Sequence, residues 1–293
     1  MKAGFDASQI GLAIVSVVVQ ISGQAFCAEP QTIHDKCDIL IVAPHSDDEA
    51  IGCTGVLLRA IAEKKRPGVV ILTAADGFPK AAAAAARKSM DDLSPDDFVA
   101  LAALRQRHSL QAMLRIGVRE KDLLFLGYPD GGLATMYASS SNEPYRQPHT
   151  GRTETYGPVV ADYHRQVHNR PAPYLRASVL ADLTEIIQAR RPQEIYVTGE
   201  LDAHGDHRVT FRFVRDAAQA AGYQGTLWTY IVHGRSPDSS PGRRLTLSDS
   251  ELATKRSLLE SYQVGVSPVH DRLADTYAKA EELFWPVRVQ STP

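Results

Sequence analysis

Short apolar runs alternate with longer segments of helical periodicity along most of the chain. The runs are too short for helices and rich in β-branched side chains, which is typical of strands buried on both faces. We predict such strands at 38–43, 69–73, 123–126, 194–198 and 226–232. Apolar residues at helical spacing predict helices at about 50–64, 98–116, 177–190, 209–221, 248–262 and 273–284. This alternation predicts an α/β, Rossmann-like fold with a mainly parallel sheet and helices on both faces.

Residues 134–176 lack this periodicity and are rich in Ser, Pro, Tyr, His and Arg. A long stretch without clear structure inside a compact domain is usually a functional loop. We therefore interpret the segment as a lid-like insertion that faces the substrate, and a disordered surface insertion is the alternative. Its candidate contacts to a sugar or an amide are Tyr145, Tyr156, Tyr163 and His164.

The N-terminus has the pattern of a secretory signal peptide over residues 1–28. An apolar run at 10–21 is followed by the small residues Gly23, Ala25 and Ala28. The run is too short to span a membrane comfortably, although an uncleaved N-terminal anchor is the alternative. Residues 29–293 would then form a single secreted or periplasmic domain with no stable membrane span.

The net charge of the chain argues against nucleic acid as a partner, and its cysteines allow two interpretations. Charged residues make up 23% of the chain and the net charge is −2, which gives nucleic acid no electrostatic attraction. Cys27 falls in the predicted signal peptide, while Cys37 and Cys53 flank the first strand and helix. A secreted location permits a disulfide between the last two, and two small buried thiols are the simpler interpretation.

Polar clusters follow two of the predicted strands. P-H-S-D-D-E at 44–49 follows the first strand, and A-H-G-D-H-R at 203–208 follows the strand at 194–198. Open α/β sheets place their ligands at the carboxyl ends of strands. His45 and a carboxylate three residues later can converge on one ion, and a catalytic zinc needs a third N or O ligand. The second cluster supplies it, so the sequence predicts a metal site where the clusters meet.

Both clusters resemble the motifs of one enzyme family. P-H-S-D-D-E is similar to the (A/P)-H-P-D-D-E motif of the LmbE-like, or PIG-L, zinc deacetylases, and H-G-D-H at 204–207 resembles their H-P-D-H motif. L-G-Y-P-D-G-G-L at 126–133 also resembles a family segment, and the similarity extends over about 37–235. Ser46 and Gly205 stand where proline is usual, and His108 stands where the family commonly has glutamate.

The resemblance implies a role for each residue of the clusters. The metal ligands are His45, Asp48 and His207, and the expected cofactor is Zn²⁺, although another divalent metal suits the same donors. Asp47 is the general base, with a helix N-cap as the alternative. His204 is expected to stabilise the oxyanion as an imidazolium oriented by Asp206, or only to support a neighbouring ligand.

Other residues are expected to surround the substrate. Arg105 and Asp130 resemble residues that line the family's sugar site, although an ordinary structural ion pair is equally compatible. Tyr156 is a further candidate substrate contact, Glu49 is expected to support the first loop, and Asp76 is expected to lie behind the site.

The sequence therefore predicts a zinc-dependent hydrolase that removes an N-acetyl group from an N-acetylglucosamine-type small molecule or glycan through a metal-activated water. Two alternatives stay open. One is a metal amidase acting on a non-sugar or conjugate amide, and the other is a noncatalytic carbohydrate-binding relative. No G-x-G-x-x-G follows a strand, which argues against a nucleotide-binding protein.

Overall fold

The structure is a computed structural model that describes residues 35–266 and 272–289. The predicted signal peptide and Cys27 lie outside the described residues, so export stays a prediction. Within the described ranges, no helix has the length and apolar character needed to cross a membrane.

In the part of the chain that the structure describes, seven strands form one sheet. Their bounds are Ile39–Ala43 (β1), Pro67–Thr73 (β2), Leu123–Tyr128 (β3), Glu194–Thr198 (β4), Thr226–Tyr230 (β5), Arg243–Thr246 (β6) and Glu281–Val287 (β7). Their order across the sheet is β3-β2-β1-β4-β5-β7-β6. The pairs formed by β1 to β5 are all parallel, whereas β7 runs antiparallel to both β5 and β6. The predicted, mainly parallel sheet is therefore confirmed.

Helices cover the sheet on both faces, as predicted. They are Asp48–Ala62 (α1), Pro79–Ala86 (α2), Pro95–Arg115 (α3), Leu133–Ala138 (α4), Tyr163–His168 (α5), Arg176–Arg190 (α6), Gly205–Ala220 (α7), Asp249–Gln263 (α8) and Leu273–Tyr277 (α9). Residues of α1, α3 and α8 share one apolar cluster with one face of the sheet, and residues of α4, α6 and α7 share another with the opposite face.

The alternation of side chains along β1 explains this arrangement. Leu40 and Val42 point to one cluster, while Ile39, Ile41 and Ala43 point to the other. Because both faces of the strand are buried, the pattern is a continuous apolar run rather than an apolar–polar alternation.

The order of the strands creates a crevice between β1 and β4. The chain leaves β1 into α1 on one face of the sheet and leaves β4 into α7 on the other. Such a reversal of strand order is the switch point at which open α/β sheets bind ligands. Both predicted polar clusters start at this point.

The C-terminal region differs from the prediction. We expected one helix over 273–284, but α9 ends at Tyr277 and the chain continues as β7. The buried Glu282 explains the difference, because its carboxylate accepts from Lys255 Nζ at 2.8 Å and from the backbone N–H of Gly55 at 3.0 Å. These partners are remote in sequence, so local periodicity could not indicate them. The strand β6, which pairs with β7, was also missed.

The segment 134–176 holds more structure than the sequence indicated. It contains most of α4, all of α5 and a β-bridge between Glu154 and Pro173. Its buried polar residues include Gln147, Thr155 and Asp162.

Cys37 and Cys53 are free and buried, which confirms the interpretation as two thiols.

Candidate metal centre and active site

Three side chains from the two strand ends meet at the switch point. His45 Nδ1 lies 3.2 Å from Asp48 Oδ2, His207 Nε2 lies 3.2 Å from the same oxygen, and the two nitrogens are 3.3 Å apart. Ligand atoms in a tetrahedral zinc site with bonds of about 2.0–2.1 Å are about 3.3 Å apart. The triangle therefore has the size that a zinc ion requires.

The charge around this triangle also suits a cation. Burial lowers the pKa of His45, but the carboxylates of Asp130, Asp206 and Asp48 more than offset it and hold the pKa well above its ordinary value. His45 Nε2 lies 3.2 Å from Asp130 Oδ1 and 3.3 Å from Asp206 Oδ2. A buried group of three carboxylates around two imidazoles favours a positive charge, and a divalent metal provides one.

Asp47 occupies the turn between β1 and α1 in an unusual backbone conformation. Its φ of 128° lies in the region that side chains rarely adopt, which costs on the order of 1–3 kcal/mol. Asp47 stands at the N-cap position of α1, yet its carboxylate makes no capping hydrogen bond. Its backbone N–H instead donates to Glu49 Oε2 at 2.9 Å. The strained turn directs the Asp47 carboxylate away from the helix and into the cavity described below.

The environment of Asp47 suits a base that works near neutral pH. Burial is the main cause that raises the pKa of Asp47 to about 7; the Arg105 guanidinium opposes the shift, and the Asp48 and Glu49 carboxylates add to it. Arg105 Nη2 lies 3.3 Å from Asp47 Oδ2 and donates to the Ser46 carbonyl at 2.9 Å. The ion pair of Arg105 is therefore with Asp47 rather than with Asp130.

Glu49 supports the loop, as expected. It is fully buried, and its Oε1 accepts from Ser109 Oγ at 2.9 Å and also from the Tyr262 hydroxyl. Its other oxygen accepts from the Asp47 backbone. All of these contacts hold the turn that carries Asp47 and Asp48.

His204 lines the site as predicted, although its charge differs from the expectation. It is the N-cap residue of α7, and its ring centroid lies 4.9 Å from that of His45 and 4.8 Å from that of His207. Burial and the two neighbouring rings lower the pKa of His204, which favours the neutral imidazole over the imidazolium. A neutral imidazole can still donate a hydrogen bond, but it brings no positive charge.

Asp206 contacts residues other than the expected His204. Its Oδ2 accepts from the Gly131 backbone N–H at 2.7 Å and lies 3.3 Å from His45 Nε2. It therefore orients a metal-ligand candidate and fixes the loop after β3.

Asp130 stands on that loop and also faces His45. The Gly77 N–H donates to its Oδ2 at 3.0 Å. A Cβ at Gly77 would lie 2.6 Å from the Asp130 carbonyl oxygen, so only glycine allows this approach.

Sequence reasoning missed two residues that complete the site. Asp202 Oδ2 lies 3.3 Å from His207 Nδ1 and accepts from the backbone of Val232 and His233, while its Oδ1 accepts from the His204 N–H. Carboxylates commonly fix metal-binding histidines in this way. The His233 ring lies 4.9 Å from that of His207, and the Tyr277 hydroxyl is 3.0 Å from its Nδ1. The sequence did offer a signal for Asp202, which is an aspartate two residues before the second motif. It offered no local signal for His233, which follows β5.

A cavity of about 520 Å³ opens over these side chains. Asp47, Asp48, His45 and His204 line its floor, and Arg105 and Asp130 line it as well, as the sequence predicted. The rest of the lining comes from Phe78, His233 and the start of α9, which was not foreseen; these residues include Arg272, Leu273, Thr276 and Tyr277. The volume is within the usual range for small-molecule sites.

Tyr156 does not take the expected place. It is buried, its hydroxyl donates to Asp76 Oδ2 at 2.9 Å, and it is absent from the described lining of the cavity. Asp76 Oδ1 in turn accepts from the Asp130 N–H at 3.2 Å. Tyr156 therefore supports the loop behind the site, where Asp76 was expected.

The lid interpretation of 134–176 stays a prediction, because none of the other candidates lines the cavity either; these are Tyr145, Tyr163 and His164.

Comparison with known proteins places the chain in a family. The family model of PIG-L, described as GlcNAc-PI de-N-acetylase, matches residues 40–218, which is more than half of the chain. The chain belongs to the PIG-L family. The resemblance inferred from the two motifs is thereby confirmed. No curated protein sequence matches this chain significantly.

Solved structures share the fold of this PIG-L protein. The deacetylase of the A40926 pseudoaglycone is 18% identical with a TM-score of 0.53, covering 88% of this chain and 100% of that one. The N,N'-diacetylchitobiose deacetylase of Pyrococcus horikoshii is 17% identical with a TM-score of 0.53, covering 89% and 87%. The 4-carboxy-2-hydroxymuconate hydratase of Pseudomonas putida is 17% identical with a TM-score of 0.51, covering 87% and 98%.

Family membership supports a reaction, whereas the likeness to solved structures shows only the fold. The family description supports an N-deacetylase, and deacetylases are among the structural neighbours. The hydratase shows that the same fold also occurs in an enzyme of another reaction class. The reaction must therefore be argued from the site itself.

Proposed function

We propose that this protein is a zinc-dependent N-deacetylase acting on an N-acetylglucosamine-type substrate in the periplasm or outside the cell. One observation carries the proposal: the Asp47 carboxylate lines one cavity together with His45 and Asp48, and these two form a triangle of metal-ligating atoms with the buried His207. Hydrolysis of an amide needs an activated water and a group that takes its proton, and these are the two functions that the floor can provide.

His45, Asp48 and His207 are the residues that would hold the metal. A bound zinc ion supplies Lewis acidity and lowers the pKa of a coordinated water toward ~7. The contacts of His207 with Asp202 and of His45 with Asp206 keep both rings oriented for ligation.

Asp47 is the proposed general base. A pKa of about 7 lets the carboxylate accept a proton from water and release it again at neutral pH. Arg105, 3.3 Å away, holds the carboxylate in place. Asp47 takes the proton when the water oxygen attacks the acetyl carbon, and it delivers that proton to the departing amine nitrogen. The products are acetate and a free amine.

His204 is proposed to face the acetyl carbonyl. Its ring lines the cavity next to the two histidines of the triangle. As a neutral imidazole it can donate one N–H to the oxygen as negative charge develops there. This role needs a hydrogen bond rather than the imidazolium that the sequence suggested.

The polar lining supports a sugar-like substrate. Arg105, Asp130, Arg272 and Thr276 offer donors and acceptors around a cavity large enough for an amino sugar. The family description, a de-N-acetylase of an N-acetylglucosamine lipid, agrees with this class.

Acetate release decides between the proposal and its alternatives. The zinc-loaded, full-length protein is mixed with an N-acetylglucosamine derivative, and acetate is measured for the wild type and for Asp47→Asn. The proposal expects acetate from the wild type only. Release from non-sugar N-acyl amides alone would favour the amidase, and metal binding without acetate from any amide would favour a noncatalytic relative.

A further inference from the structure

A second cluster of metal-ligand types lies between α5 and α6. His164 and His168 are four residues apart on α5, while Asp182 and Glu185 are three apart on α6. Residues at these spacings share one face of a helix. Two imidazoles therefore face two carboxylates, and none of the four lines the cavity described above.

The four side chains are already in contact. His164 Nδ1 lies 2.7 Å from Asp182 Oδ1, and His168 Nε2 lies 2.9 Å from Glu185 Oε2. The two rings are 4.4 Å apart, and ligand atoms of His164, His168 and Asp182 all lie within 4.8 Å of one another. Ligand atoms in a zinc site are about 3.3 Å apart, so the widest of these separations would close by up to ~1.5 Å when an ion binds.

The two carboxylates of this cluster have histidines as their neighbours of basic type. In the described ranges, Asp182 and Glu185 lie against the two imidazoles and form no ion pair with a lysine or arginine. Asp182 is almost completely buried, and its second oxygen accepts from the Tyr128 hydroxyl at 2.7 Å. A divalent cation placed between the four side chains would meet two carboxylates and two ring nitrogens.

The backbone that carries the histidines is fixed in place. Asp162 caps α5 by accepting from the Arg165 N–H at 3.1 Å and is itself held by Thr155 Oγ1 at 2.8 Å. Asn169 ends the helix in a left-handed conformation. The short helix is thus oriented before any ligand binds.

We propose that His164, His168, Asp182 and Glu185 form a second, structural metal site that joins α5 to α6. Two nitrogen and two oxygen donors select zinc or a similar transition metal over magnesium or calcium, which prefer oxygen ligands alone. His164, His168 and Asp182 already lie together, and with Glu185 moved in beside His168 the four protein ligands would leave no open position for water, as is usual for structural sites. This inference goes beyond the proposed function and does not depend on it.

Metal stoichiometry tests the inference. Full-length protein is dialysed against zinc, and bound metal is counted for the wild type, for His164→Ala with His168→Ala, for His168→Ala alone and for Arg165→Ala. Arg165 lies on the same helix and is the matched control. We expect about two zinc ions per chain for the wild type and the control, and about one for both histidine variants. Excess magnesium should not displace the second ion.

The readout separates this site from the active site. Both histidine variants should keep the acetate release of the wild type, whereas loss of His207 should remove the other ion and the activity together. One zinc per chain in the wild type, unchanged in the histidine variants, would overturn the second site. A second ion that persists in the double variant would overturn it as well, because other residues would then hold it.

Discussion

The two walls of the active-site cavity differ in how firmly the protein holds them. The inner wall consists of the loops 44–49 and 202–207, and the outer wall consists of Phe78, His233 and residues 272–277. On the inner wall, His45, Asp48 and His207 are at most 7% exposed and contact one another or a neighbouring carboxylate. On the outer wall, Arg272 and Thr276 are exposed, and Tyr277 is half-buried with His233 as its hydrogen-bond partner.

This difference indicates that the two walls have different functions. Chemistry requires atoms placed within a few tenths of an ångström, and buried hydrogen-bond networks provide that placement. Recognition of a substrate tolerates more movement and can rest on exposed side chains. We therefore expect changes on the inner wall to affect metal binding and turnover, and changes on the outer wall to affect substrate affinity.

The largest effect is expected from removal of a metal ligand. His207→Ala deletes one corner of the triangle, so metal affinity should fall by more than ~100-fold, beyond the loss typical of supporting residues. Acetate release should fall to background. Metal content and activity are measured together, with Arg165→Ala on the exposed side of α5 as the control that keeps both. Full metal content in His207→Ala would contradict the assignment.

Asp47→Asn should separate metal binding from turnover. Asparagine tolerates positive φ better than most residues, so the strained turn should survive the change. It cannot accept the proton, and we expect kcat to fall by about 10²–10⁴-fold with metal content unchanged. Circular dichroism checks the fold. Wild-type kcat in this variant would show that the base lies elsewhere.

Asp202→Asn tests the support behind the inner wall. The change leaves His207 in place but removes the charge 3.3 Å from its Nδ1. Metal affinity should drop by ~10–100-fold, and added zinc should restore most of the activity. A variant that binds zinc as tightly as the wild type would show that Asp202 only positions the backbone.

Tyr277→Phe addresses the outer wall. It removes the hydroxyl that lies 3.0 Å from His233 Nδ1 while keeping the ring in the cavity. Loss of a hydrogen bond worth about 1 kcal/mol should raise KM by about fivefold, with kcat and metal content unchanged. A fall in kcat at constant KM would place the pair in the chemistry instead.

Tyr156→Phe should have the smallest effect on catalysis. The hydroxyl bonds Asp76 behind the site, so its loss should lower the free energy of unfolding by about 1 kcal/mol and leave KM unchanged. Urea denaturation and steady-state kinetics measure the two quantities. A rise in KM without loss of stability would restore the original interpretation of Tyr156 as a substrate contact.

The same contrast explains what the sequence could predict. The inner wall follows strands with continuous apolar runs, and the carboxyl ends of adjacent parallel strands must meet, so His45 and His207 could be paired from sequence. The resemblance of the two motifs to the PIG-L family then supplied the expected ligand set of His45, Asp48 and His207. Arg105 was also placed correctly in the cavity, although its partner Asp47 was not anticipated.

The outer wall depends on contacts that sequence patterns do not encode. The turn from α9 into β7 is fixed by Glu282 against Lys255 and the backbone of Gly55, partners 27 and 227 residues away. His233 enters the site only because β5 lies beside β4. The protonation state of His204 likewise depends on burial and on neighbouring rings, which are properties of the folded protein.

Anomalous diffraction at the zinc absorption edge, on crystals of the zinc-loaded protein, shows directly whether the triangle of His45, Asp48 and His207 holds the metal. We expect a peak about 2.0–2.1 Å from His45 Nδ1, Asp48 Oδ2 and His207 Nε2, with its open side toward Asp47 and the cavity. A peak held instead by Asp130 and Asp206 through His45 Nε2, or no peak at the switch point, would contradict it.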